Sequence, residues 1–158
     1  MIRILSSLVT AISFFSFAAV GQITFSPRPG PNGASIGDIE INSSSHIFIY
    51  EGTPGSSQKP IAGSVYRSTN NGTDWVKLSI GTNGLTDNDA YDILIDASNN
   101  IYVLGKTKIY KSTAASNGDS WTSFTPPSPF GGGIELTKTA DGELYLVNAF
   151  TGVFRSLD

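Results

Sequence analysis

The chain has no cysteine, one histidine and few charges: Asp, Glu, Lys and Arg make up 15% of its 158 residues. Each shortage excludes something. Without cysteine there is no disulfide scaffold, so the fold must be held by sheet packing and burial, as in a larger regular fold rather than a small stapled module. A zinc cluster is excluded for the same reason, and a histidine-based triad would have to rest on His46 alone, which reads as a surface turn residue opening a strand. There is no basic run or stripe, so nucleic acid is not an expected partner, and no acidic block to form a solvated tail. Past residue 21 the only arginines are Arg28, Arg67 and Arg155, too few for a cluster that would hold a substrate carboxylate. Outside the first twenty-odd residues no window shows a helical period.

Those first residues have their own pattern. Arg3 is the only charge in 1–21, residues 4–20 are almost wholly apolar or small, and Ala19-Val20-Gly21 offers small side chains at the positions a signal peptidase reads. The expectation is a secretory signal over 1–21, a mature chain over 22–158 starting at Gln22, and a secreted or cell-surface location with no membrane span after cleavage. An uncleaved anchor is the alternative; it is disfavoured because the apolar run is at the lower limit for a span and its flanks carry no stop-transfer charge. Removing Arg3 leaves 9 basic residues (10 − 1) against 13 acidic ones, a net charge of −4.

What the chain does have is seventeen Gly and eight Pro, many Ser, Thr and Asn, and short β-branched and aromatic runs. That is the signature of strands joined by tight turns. The runs repeat. Val65-Tyr66, Ile109-Tyr110 and Val153-Phe154 are spaced by 44 residues both times (109 − 65 and 153 − 109), each followed by a basic residue and Ser. Upstream of each lies a second strand: 46–50, 100–104 and 143–147. A third precedes it: Ile39-Glu40-Ile41, Ile93-Leu94-Ile95 and Ile134-Glu135-Leu136. Downstream of the first two comes a fourth, Trp75-Val76-Lys77-Leu78 and Trp121-Thr122-Ser123-Phe124. Lettered A to D in chain order, four antiparallel strands per repeat of this length make a β-propeller blade. A β-sandwich is the alternative, but it has no reason to repeat one four-strand order.

The expected class is therefore all-β, with propeller blades in an incomplete ring of about three. A strand D over 22–26 is followed by a blade over 37–79, a blade over 91–125 and an incomplete blade over 133–158. Closed propellers have about four to eight blades, so completion falls to blades outside this chain or to self-association with a second copy.

The turn between strands C and D carries the most specific motif. Ser68, Asn70, Gly72 and Trp75 resemble the Asp-box of BNR-repeat propellers, whose pattern is Ser-x-Asp-x-Gly-x-x-Trp, with Asn70 where that family usually has Asp. Ser112, Gly118 and Trp121 form a second copy with two extra residues between Ser and Gly, and Ser156 with Asp158 begin a third. The family includes sialidases, sortilin-type receptors, xyloglucan-cleaving hydrolases and photosystem-assembly-factor-like propellers. The resemblance implies a fold staple: a short side chain accepts backbone N–H groups, Gly takes a conformation closed to other residues, and Trp anchors the exit. It implies no activity by itself, since some members are enzymes and others only bind.

In a blade the A–B and C–D turns share one face, so a site is expected among the opposite connections, 51–63, 79–91 and 125–133. Glu51, Asp87, Asp89 and Asp92 are the candidate ligand-contact positions there. A glycosidase needs two carboxylates flanking the scissile bond. Asp87-Asn88-Asp89 reads as a polar connector, and it lacks the rest of a calcium loop. No catalytic residue, metal ligand or cofactor is expected. The chain reads as a non-catalytic module that binds an extracellular protein or glycan or acts as a scaffold; a fragment of a glycoside hydrolase is the alternative.

Overall fold

The computed structural model describes residues 25–27, 30–31, 35–53, 61–78, 90–105, 107–126, 133–148 and 151–156. Among these the chain is all-β, with no helix and no closed barrel. The first sheet contains β1 (Ser35–Ile41), β2 (Ile47–Thr53), β3 (Ile61–Ser68) and β4 (Val76–Lys77). In the second are β5 (Asp92–Ile95), β6 (Ile101–Leu104), β7 (Ile109–Ser112) and β8 (Thr122–Phe124). The third is made of β9 (Gly133–Lys138), β10 (Leu144–Asn148) and β11 (Gly152–Arg155). Every sheet is an antiparallel meander in chain order, the arrangement expected of blades, and each strand lies where a strand was read from the sequence.

Pairing registers align the three sheets residue by residue. The first hairpin pairs Ile39 with Ile49, the second Ile93 with Val103 and the third Leu136 with Leu146, ten positions apart each time. This corrects one alignment: the counterpart of Ile39-Glu40-Ile41 in the third sheet is Leu136-Thr137-Lys138, two residues later than Ile134-Glu135-Leu136. The hairpin turns agree with the corrected register. Asn42, Asp96 and Thr139 stand in equivalent places, and each accepts the N–H four residues on through its side chain, at 2.9, 2.8 and 3.1 Å. Ser45, Asn99 and Gly142 then take a positive φ at the same point of each turn.

The first strands, β1, β5 and β9, lie side by side, and the sheets pack face to face behind them. Strand side chains alternate between two faces, and in the second sheet both faces are covered. Ile93, Ile95, Ile101, Val103 and Tyr110 meet Phe48, Tyr50 and Val65 of the first sheet. Leu94, Tyr102 and Leu104 meet Leu136 and Leu146 of the third. All eight residues of β5 and β6 are accordingly buried, which is why these strands are near-continuous apolar runs. On the outer face of the first sheet Ile39 and Ile41 are 56% and 57% exposed, while Ile49, paired with Ile39, is buried.

Residues 1–24, which include the signal expected over 1–21, lie outside the described residues. So do 22–24 of the strand expected over 22–26. Its remaining residues, Phe25 and Ser26, form no strand, and Phe25 is exposed; a lone strand has no structure without a partner edge to bond to.

Candidate functional site

The turns after β3 and β7 are built alike. Ser68 and Ser112 are fully buried, and their hydroxyl oxygens each accept the N–H of a glycine at 2.9 Å, Gly72 in the first turn and Gly118 in the second. Both glycines have a positive φ, 79° and 92°, and each follows an asparagine that does too. The two extra residues of the second turn are absorbed as a helical-type turn closed by Asn117 N–H to the Thr113 carbonyl, leaving the Ser-to-Gly bond unchanged. In the first turn the Asn70 side-chain oxygen accepts the Asp74 N–H at 2.8 Å, and its amide donates to Asp74 at 2.8 Å. In the second, Trp121 Nε1 donates to the Gly118 carbonyl at 2.9 Å. The serine acceptor was not foreseen as the central bond; its signal was there, since Ser recurs at 68, 112 and 156 in phase with the repeat. Ser156 is half-buried and its N–H donates to the Leu144 carbonyl at 2.8 Å, while Asp158 lies outside the described residues.

The second turn is also where the first and second sheets are fastened. Arg67 on β3 donates to the Asn117 carbonyl and to Asp119 Oδ1, the latter at 3.0 Å. Asn42 Nδ2 and His46 Nδ1 lie 3.3 and 3.2 Å from Asn117 Oδ1, and Ser43 N–H donates to Asn99 Oδ1 at 2.8 Å. His46, expected as a surface turn residue, is half-buried in this contact. Below it Trp121 packs with Leu78 and Phe48; a Cβ on Gly118 would come within 2.8 Å of Leu78 Cδ1. At the far side Gly63 and Ala90 exchange backbone hydrogen bonds at 2.9 and 3.0 Å.

The joint between the second and third sheets is fastened differently. Asp92, 2% exposed, accepts the Leu136 N–H on Oδ2 at 2.6 Å, and Lys138 Nζ donates to the Ile95 carbonyl, so the inner strands are held. Farther out the sheets diverge around a groove of about 210 Å³. Its walls include Tyr102, Lys111 and Phe124 from the second sheet and Leu144, Leu146 and Phe154 from the third. Lys111 Nζ sits 5.2 Å from the centre of the Tyr102 ring. Lys111 is the counterpart of Arg67, and the groove is where the first joint holds Trp121 and its turn.

Of the four candidate ligand-contact residues, the two described, Glu51 and Asp92, each have a partner of their own. Glu51 is half-buried and accepts the Tyr66 hydroxyl at 2.7 Å. Asp92 is taken up in the second joint. Asp87 and Asp89, with most of the connections in which a site was sought (54–60, 79–89 and 127–132), lie outside the described residues. Asp92 is instead near Asp38, Glu40 and Tyr50. Burial pushes Tyr50 well above the ordinary phenol range, with the nearby Asp92 and Asp38 charges adding to it, and its buried hydroxyl has no hydrogen-bond partner among the described residues. Glu40 is raised by burial, against the opposing pull of Lys138. Tyr50 presses on Gly37 so closely that a Cβ there would overlap its ring, which fixes glycine at the β1 bulge. Among the described residues no group of His, Asp and Glu is arranged to hold a metal ion, and no helix is long and apolar enough to cross a membrane.

No family model and no curated protein matches the chain. Among solved structures it is similar to the extracellular domain of the "putative one component system BT4673" from B. thetaiotaomicron, at 14% identity and a TM-score of 0.46. That match covers 84% of this chain and 22% of the other, so the chain spans about a fifth of the length of its structural neighbour.

Proposed function

We propose that the chain is a secreted segment of an Asp-box β-propeller and that it acts as a non-catalytic module, binding an extracellular protein or glycan or serving as a scaffold. The observation that carries this reading is the employment of the motif residues. Ser68, Asn70, Gly72, Ser112, Gly118 and Trp121 all have their polar groups or side chains engaged inside the turns or the joint they fasten. Four of the described carboxylates follow suit: Glu51 bonds Tyr66, Asp92 bonds the third sheet, Asp96 bonds its own turn and Asp119 bonds Arg67. A glycosidase needs a free pair of carboxylates with separated pKa values facing a cleft, and these four are dispersed over two sheets and the turns.

The test is to assay the full chain on umbelliferyl sialoside and on xyloglucan, and in parallel to screen it against immobilised glycans and extracellular protein fractions. Saturable binding without turnover is the expected result. Turnover that disappears in Glu51→Gln or Asp92→Asn, with both variants folded, would overturn it.

A further inference from the structure

We infer that Asn71-Gly72 is a latent modification site, at which the backbone rearranges to an isoaspartyl link, and that Ser68 is the guard that slows it. The inference rests on the chemistry of the turn and not on the binding role, so either can fail without the other.

An Asn-Gly pair is reactive because glycine puts no side chain in the way of its own backbone nitrogen. That nitrogen bonds to the side-chain carbonyl carbon of the asparagine, and the side-chain amide leaves as ammonia, taking the glycine N–H proton with it. Water then opens the resulting cyclic imide at either carbonyl. One product is an ordinary aspartate; the other runs the main chain through the side chain, one methylene longer. No oxidant or cofactor is needed.

Four Asn-Gly pairs occur in the sequence, and those at 71–72 and 117–118 are described. They sit at the same point of equivalent turns, with asparagine φ of 57° and 47° and glycine φ of 79° and 92°. In each the glycine N–H is buried and donates to a serine, Ser68 or Ser112, at 2.9 Å. A nitrogen held in this way must leave its acceptor before it can attack.

What differs is the rest of the surroundings. Asn117 is held at every polar group: its N–H donates to the Thr113 carbonyl at 2.9 Å, its carbonyl accepts Arg67, and its Oδ1 lies 3.3 and 3.2 Å from Asn42 Nδ2 and His46 Nδ1. The space beside Gly118 is taken by Leu78 and Phe48. Asn71 is exposed, and the bonds that close its turn run past it, from Thr73 N–H to the Asn70 carbonyl at 3.2 Å and from Asp74 N–H to Asn70 Oδ1 at 2.8 Å. The bond to Ser68 is therefore the main restraint on the Asn71-Gly72 peptide, whereas the bond to Ser112 is one of several at Asn117. Rearrangement at 71 lengthens the main chain where the turn holds Gly72 against Ser68, and it adds a carboxylate to a turn that already carries Asp74.

The test ages the full chain in mildly alkaline buffer and scores the peptides spanning 71 and 117 for isoaspartate with an isoaspartyl methyltransferase. Rates in urea give the intrinsic reactivity of each pair, against which the native rates are scaled. On that scale native Asn71 should react at least about 10-fold faster than Asn117, since protection follows local opening. Ser68→Ala, with its fold checked by circular dichroism, should speed the reaction at Asn71 by roughly 10-fold, the scale of one lost buried hydrogen bond, and leave Asn117 unchanged. Native Asn71 as slow as Asn117 overturns the site, and this contrast needs no variant. An unchanged rate at Asn71 in folded Ser68→Ala, or equal acceleration at both asparagines, overturns the guard.

Discussion

The two internal joints are made from equivalent positions, yet they are closed in opposite ways. The first is shut at its outer rim, where Trp121 lies under a turn that Arg67, Asn42 and His46 all reach. The second is shut at its inner edge by Asp92 and Lys138, and its rim opens into the groove beside Lys111. The strands of one sheet account for its hairpins, but the seal on the sheet before it comes from the turn that follows its third strand. The first joint has such a turn in place. In the second, the residues that follow Ser156 lie outside the described residues.

Truncating the anchor of the closed joint should have the largest effect. Trp121→Ala is expected to lower unfolding stability by about 3–5 kcal/mol, the usual range for a buried large aromatic. Trp75→Ala, at the half-buried counterpart on the uncovered side, should cost less than half as much. Urea midpoints measure both, and equal losses would erase the distinction between a covered and an uncovered turn. Next comes Ser112→Ala, which leaves the buried Gly118 N–H without its acceptor and should cost about 1–3 kcal/mol. The same substitution at Ser68 should behave alike, since the bonds are of equal length.

A smaller contrast separates the cations. Arg67 spans the first joint, although Asp119 is 71% exposed and screened by solvent, so Arg67→Ala should cost about 1 kcal/mol. Lys111→Ala removes the contacts of the ammonium group with Tyr102 and should cost about 0.5 kcal/mol. A double-mutant cycle with Asp119→Ala should find coupling to Arg67 and none to Lys111.

The subtlest effect is on acid stability. Burial raises Asp96, but hydrogen bonds from Asn100, Tyr102 and Ser98 outweigh it and hold the carboxyl below its ordinary value. The unfolded chain then binds this proton more readily. Asp96 therefore contributes stability that is fully present above the unfolded value, about 3.9, and is lost as pH falls through the lower folded one. Asp96→Asn should flatten the stability profile in that acid range and leave its slope near neutrality unchanged, as read from urea midpoints against pH.

Much of this architecture was legible in the residues. The strands announce themselves because β-branched and aromatic runs are bounded by turn formers, and the 44-residue spacing of the Tyr66, Tyr110 and Phe154 positions fixes their order. The register of β9 was not legible, for a physical reason. A slip of one residue would turn every side chain to the wrong face, but a slip of two preserves the faces. Ile134 and Leu136 fit the inward positions equally well, so only the pairing of Leu136 with Leu146 decides. The burial of Asp92 was hidden too, because an acid before a strand reads as surface until the next sheet's N–H is seen to meet it. The candidate site stayed mostly beyond reach, since its connections carry no repeated pattern from which a position could be argued.

Native-state hydrogen exchange tests most directly the claim that the closed joint is the stable centre of the molecule. Protection follows local opening free energy, so the amides of β5 and β6 and the Gly118 N–H should be the slowest. Those of β10 and β11, behind the open groove, should exchange at least about 10-fold faster. Equal protection across both joints, or slower exchange in β11 than in β6, would contradict it.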